Sequence, residues 1–164
     1  MNRVDVRAEE VPLPSWAKAA KKFIRKALAA LGRKDWDLSV LFCNNRYIKS
    51  LNAQYRNKNE PTDVLSFPLG ETSPAGRYLA GDIVISLDAL EENTRFFKVS
   101  ADEELRRLMV HGILHLSGND HATNSAEEPM LILQEEILAG VTESILGSIP
   151  ESVPENILGS THEH

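Results

Sequence analysis

Val4 and Val6 alternate with charged residues across Asn2–Ala8, the period of a half-buried strand, and Pro12 and Pro14 end it. Ser15 then predicts the cap of a helix to about Leu31, with Gly32 just past its end. Trp16, Ala19, Ala20, Phe23, Ile24, Ala27, Leu28 and Leu31 share one face at a 3.6-residue period. Asp37–Cys43 is apolar and β-prone, a buried strand. Asn44 or Asn45 caps a second helix through Ile48, Leu51 and Asn52 to about Tyr55, and Arg56–Pro61 is a polar loop. Val64–Leu69 reads as a strand that Pro68, lacking an N–H, confines to a sheet edge. Glu71–Arg77 reads as a turn, Asp82–Leu87 as a strand and Asp88–Phe97 as a helix. Ser100 with Glu103 is a capping box for a helix to about Leu116, broken by Gly118. Ser125 with Glu128 is a second box, opening a helix through Leu138. The fold class expected is α+β, a small mixed four-stranded sheet packed with about five helices. One domain over residues 1–147 and a poorly ordered tail over 148–164, mixing Pro150, Pro154, Gly159 and serines, complete the expectation.

Composition changes this picture little. Hydrophobic residues at 42% and charged residues at 26% are an ordinary globular balance, and 164 residues bury a core without staples. Charge is uneven: residues 1–60 carry thirteen Lys and Arg against six Asp and Glu, and the rest carry five against eighteen. The net −6 therefore does not exclude an anionic polymer on one face. Lys18, Lys21, Lys22, Arg25 and Lys26 form the polar face of the first helix, ordinarily a solvated face and less often a phosphate-binding one. The lone Cys43 excludes an intrachain disulfide and a cysteine zinc cage, and reads as a small buried hydrophobe. Met1–Pro12 has no apolar signal-peptide core and no run of 18 apolar residues occurs, so a cytoplasmic protein without membrane attachment is expected. No P-loop, dinucleotide fingerprint or nucleophile elbow is present.

The informative stretch is His111 to His121. His111 and His115 lie one helical turn apart on one face, with Cβ atoms roughly 6 Å apart, close enough to share a metal. Gly118 ends the helix and lets the chain bring His121 back to the same point. Three neutral imidazoles on one Zn²⁺ leave a fourth position open, as in a catalytic site. Unligated histidines in so apolar a helix, with Leu105, Leu108, Met109, Val110, Ile113 and Leu114, would need other partners. His162 and His164 lie in the tail and read as solvated. The spacing matches the zincin pattern H-E-x-x-H-x-x-G-x-x-H at its metal positions, but Gly112 stands where the proteases carry their general base.

The segment H-G-I-L-H-L-S-G-N-D-H resembles the H-G-x-L-H-L-x-G-x-D-H signature of the YbeY endoribonuclease family. Leu51-Asn52, Tyr55-Arg56, Pro61–Pro68, Gly81–Ser86 and Met130 followed by Gln134–Leu138 agree in the same order, so the resemblance covers about residues 1–140. Asn119, where the family usually has an aromatic residue, and the tail after Gly147 depart from it. The resemblance implies a zinc-dependent, single-strand-specific endoribonuclease acting in maturation of the 16S ribosomal RNA 3′ end and in ribosome quality control. It implies one Zn²⁺ per chain on His111, His115 and His121, single-stranded RNA, rRNA and the ribosome as partners, and no DNA.

The family's functional arginine falls on Arg56, whose planar fork suits a phosphate; residue by residue, a surface arginine or an ion pair to Asp63 serves as well. Asp120 could orient a ligand imidazole, cap the turn or act on water. Thr62, Asp63 and Ser66 could line the cleft or hold the strand edge. Two rivals stay open at this level: a peptide or amide hydrolase using Asp120 or Glu136, and a zinc-stabilised ribosome-binding module without catalysis.

Overall fold

The computed structural model describes residues 1–119 and 125–146. In chain order its elements are β1 (Arg3–Ala8), α1 (Ala17–Ala30), β2 (Trp36–Cys43), α2 (Asn45–Arg56), β3 (Val64–Thr72), β4 (Tyr78–Ser86), α3 (Leu87–Phe97), α4 (Ala101–Leu116) and α5 (Pro129–Gly140). The sheet runs in the order β1-β2-β4-β3. β1, β2 and β4 are parallel, and β3 lies antiparallel on β4 at one edge, where Pro68 needs no hydrogen-bonded N–H. This is the expected α+β class.

Strand alternation divides the apolar side chains between two faces. Val4, Val6, Leu38, Val40, Phe42, Ile83 and Ile85 join the main core with α1, α4 and α5. Cys43, Leu65 and Val84 point the other way, onto Ile48 of α2. Each fully buried Phe, Ile or Leu here contributes about 1.5–3 kcal/mol. Consequently α2 and α4 lie on opposite faces of the sheet, with edge strand β3 between them. Cys43 is buried, and burial pushes its thiol up to about 12, so it is the inert small hydrophobe expected.

Several boundaries differ from the sequence expectation. α1 starts at Ala17 with Trp16 rather than Ser15 at its cap, and no side chain caps it. The Pro14 carbonyl accepts the Ala17 N–H, and Trp16 packs edge-on against Phe42 at 5.0 Å, so tertiary burial sets the start. β3 and β4 run on to Thr72 and back to Tyr78, leaving only Ser73–Arg77 of the expected turn outside the strands. A register shift between Pro68 and Glu71 interrupts the alternation and hides this extension in the sequence. Gly81 sits opposite that shift at φ +131°, where a Cβ would come within 2.2 Å of the Phe67 carbonyl oxygen, so only glycine lets the strands close. Leu87 opens α3 instead of ending β4, because the Ser86 hydroxyl accepts the Ala89 N–H and caps the helix.

The Ser125–Glu128 capping box does not form. Ser125 closes a separate turn, accepting the Glu127 N–H at Oγ (3.2 Å) and the Glu128 N–H at its carbonyl (3.1 Å). α5 begins at Pro129, which disfavours helical backbone at the residue before it and fits the first helical position. No helix among the described residues is long and apolar enough to cross a membrane. The expected boundary at 147 and the tail 148–164 lie outside the described residues.

Candidate metal centre

α4 carries the centre, and its sequence explains where it begins and ends. Ser100 Oγ accepts the Glu103 N–H at 3.0 Å, the cap half of the expected box, while the Glu103 carboxylate pairs with Arg107 at 3.1 Å. Asp102, Glu103 and Glu104 fill the first turn, where the helix dipole favours negative charge. Asp102 Oδ1 also accepts the N–H groups of Ile145 and Leu146, fastening the chain beyond α5 to this helix start. At the other end Gly118 takes φ +92°. The Gly118 N–H bonds the His115 carbonyl and the Asn119 N–H bonds the Leu114 carbonyl, each at 3.0 Å. This is a Schellman cap, and it turns the chain back from the helix axis. His121 and Asp120 lie outside the described residues.

His111 and His115, both half-buried, have ring centroids 4.7 Å apart and Nε2 atoms 3.1 Å apart. Two nitrogens that close share either one proton or one cation. For bonds of about 2.0–2.1 Å, two ligands of a tetrahedral zinc ion stand roughly 3.3 Å apart, so the pair fits such an ion. The other nitrogen of His111, Nδ1, lies 2.7 Å from Gln134 Oε1 on α5. The Gln134 amide N–H donates to Glu135 Oε2 at 3.3 Å, which turns the amide oxygen toward the ring. Glu135 is itself held by two 3.0 Å bonds from Arg107. That fork holds the Glu135 carboxyl below its ordinary range and raises the Arg107 guanidinium. Among the described residues no group of three or more His, Cys, Asp or Glu is placed to hold a metal.

Gly112 has a second meaning that its sequence position did not reveal. A Cβ there would stand 2.7 Å from Ile83 Cγ2, inside the core. A side chain at 112 therefore points into the sheet rather than toward the imidazoles. Ser66 Oγ on β3 donates to the Gly112 carbonyl at 3.2 Å, tying the edge strand to the histidine helix.

Arg56 is the last residue of α2, not a loop residue as expected; Asn57 ends the helix in the left-handed region at φ +63°. Its side chain is exposed and makes no hydrogen bond or ion pair among the described residues, so the pair with Asp63 does not form. The neighbouring Tyr55 is 60% exposed and stacks edge-on against Phe67 at 5.3 Å, on the sheet face opposite α4. α2, which ends in Arg56, and α4, which carries the histidine pair, thus pack on opposite faces of the sheet. Asp63 is structural: Oδ2 accepts from Asn93 at 3.1 Å and Oδ1 accepts the Val64 N–H at 2.8 Å. With Thr62, Asn45 and Glu92 it lines a hollow of about 290 Å³.

Glu104, only 5% exposed, lies two helical turns before His111 and was not singled out by the sequence. Asn93 Nδ2 donates to its Oε2 at 3.0 Å and bridges it to Asp63. Burial pushes its carboxyl above the ordinary range, and Asp63 adds to this; the Asn93 amide and Arg107 oppose it. An acid whose folded pKa is raised binds more protons folded than unfolded. Its contribution is complete below the unfolded value and is lost as pH rises through the folded one. Urea midpoints measured from pH 4 to 8 should therefore fall more steeply in the wild type than in Glu104→Gln. Parallel profiles would remove Glu104 as the cause.

The fold and the paired imidazoles define a class, an α+β protein with a histidine centre on one helix. The family model for endoribonuclease YbeY matches residues 3–142, and the chain belongs to that family. An endoribonuclease YbeY of Treponema denticola is 53% identical over 122 residues, 72% of this chain and 79% of that one. Another, from Treponema pallidum strain Nichols, is 44% identical over 154 residues, 92% and 96% of the two chains. The solution structure of TM1509 from Thermotoga maritima superposes with a TM-score of 0.59 at 30% identity, covering 84% of this chain and 88% of that one.

Proposed function

We propose that this chain is a zinc-dependent endoribonuclease that cuts single-stranded RNA, with 16S ribosomal RNA 3′-end maturation and ribosome quality control as its setting in the cytoplasm. RNA, rRNA and the ribosome are the partners, and DNA is not a substrate. His111, His115 and His121 hold one Zn²⁺ per chain. Within the family, the single observation that carries this reading is the convergence of the His111 and His115 Nε2 atoms to 3.1 Å. When bound, zinc supplies polarisation of a phosphoryl oxygen and activation of water.

The chain's own residues supply the rest. The imidazoles bring no charge, so a divalent ion among them leaves the centre cationic and attracts a phosphodiester. Arg56 offers a planar fork to phosphoryl oxygens from beyond β3, so a bound strand passes the sheet edge to touch both. A flexible single strand makes that passage more easily than a stiff duplex.

Arg56→Ala should keep full zinc content and lose about 10²–10³-fold in turnover on single-stranded RNA, as when one charge-stabilising donor is removed. Arg56→Lys should recover part of it, a point charge lacking the fork. Unchanged turnover in Arg56→Ala would take this residue out of the site. The whole reading is tested by incubating the zinc-loaded protein with RNA, DNA and peptide. Cleavage of single-stranded RNA alone supports it; peptide cleavage without RNA cleavage selects the hydrolase rival. Bound zinc without any cleavage selects the binding module.

A further inference from the structure

We propose that Gln134 is the positioning residue of this centre: it keeps the His111 proton on Nδ1, makes Nε2 the ring atom that carries the lone pair a metal needs, and couples metal binding to the docking of α5. The inference rests on the zinc reading above.

A neutral imidazole has two tautomers, and only the one protonated at Nδ1 can ligate through Nε2. His115 Nε2, 3.1 Å from His111 Nε2, can donate or accept and so fits either one. Gln134 selects between them, through an amide oxygen 2.7 Å from Nδ1. This amide is 6% exposed, so an alternative partner in water is not at hand, and breaking the bond would orphan a buried acceptor. The amide's orientation is fixed in turn. Its N–H end meets Glu135 Oε2 at 3.3 Å, and Glu135 is clamped by both arms of Arg107 at 3.0 Å. Arg107 stands one helical turn before His111 on the same helix. Two helices thus grip each other at adjacent turns, once through Arg107–Glu135 and once through His111–Gln134.

Outer partners of metal-bound histidines change affinity by about 10–100-fold when removed. Gln134→Leu keeps the volume and loses the acceptor, which separates a bond to the ring from mere filling of space.

The experiment has two arms. Long-range proton–nitrogen correlation spectra of the metal-free wild type should show His111 as the single Nδ1–H tautomer. Zinc titrations of the whole chain against a chromogenic chelator should show Gln134→Leu binding about 10–100-fold more weakly. Equal zinc affinity for wild type and Gln134→Leu, or a His111 proton on Nε2 in the wild type, overturns this inference alone. A wild type that binds no zinc overturns the centre as well. If Gln134→Leu does not fold, the wild-type spectrum decides by itself.

Discussion

His115→Ala is expected to emerge from purification with little zinc, where the wild type holds close to one equivalent, and to have no measurable RNA cleavage. The substitution removes one of two Nε2 atoms that stand 3.1 Å apart. If His115 is a ligand as proposed, its loss must exceed the about 10–100-fold that losing an outer partner costs. The fold should survive, because α4 is held by Leu105, Leu108, Met109, Val110, Ile113 and Leu114, all buried in the core, while His115 is only half-buried. Metal analysis, circular dichroism and an RNA cleavage assay on the same preparation separate the centre from the scaffold. Full zinc content in a variant lacking His111, His115 and His121 together would overturn the ligand assignment.

Gly112→Glu should damage the fold rather than restore a general base. The glutamate would have to enter the core beside Ile83, where even a Cβ stands 2.7 Å from Cγ2. An uncompensated buried charge costs about 3–5 kcal/mol. At about 2–4 °C per kcal/mol for a chain of this size, the melting temperature should fall by about 6–20 °C. Gly112→Ala is the milder test. Helix propensity favours alanine by about 1 kcal/mol, but overpacking costs about 1–3 kcal/mol, so a net loss is expected. In an Ile83→Ala background the same substitution should cost less or stabilise. A higher melting temperature for Gly112→Ala alone would show that Ile83 gives way freely and that the glycine is not a packing requirement.

Both expectations turn on α4, the element most legible in the sequence. Ser100, the three acids of its first turn and Gly118 delimit it, and all three signals act within one turn of chain. The same holds for Pro68 on the edge strand and for Asn44, whose Oδ1 accepts the Tyr47 N–H at 2.9 Å. The expectation fails where a distant contact, a proline or a register shift overrides the local signal. Ser15 is a good cap by type, yet Trp16 finds Phe42 and the helix starts later. Ser125 is followed by a correctly spaced glutamate, yet Pro129 sets the first turn. The extension of β3 to Thr72 was hidden because a register shift at Pro68 breaks the alternation on which a strand is recognised.

By itself the sequence determined the α+β class, the single histidine face with His111 and His115 one turn apart, and the motifs that place the chain in the endoribonuclease YbeY family. The class and the histidine face follow from periodicity and spacing, which are properties of neighbouring residues, and the family follows from the match of motifs along the chain. Tertiary structure decided what depends on residues far apart in the chain. It set Gln134 against His111 across 23 residues, and Ser66 on Gly112 across 46. It turned the glycine at 112 from a missing base into a packing necessity, and it put α2, which ends in Arg56, on the sheet face opposite the histidine helix. No local pattern encodes these, because each depends on how two buried faces meet, and only the packed sheet and helices fix that meeting.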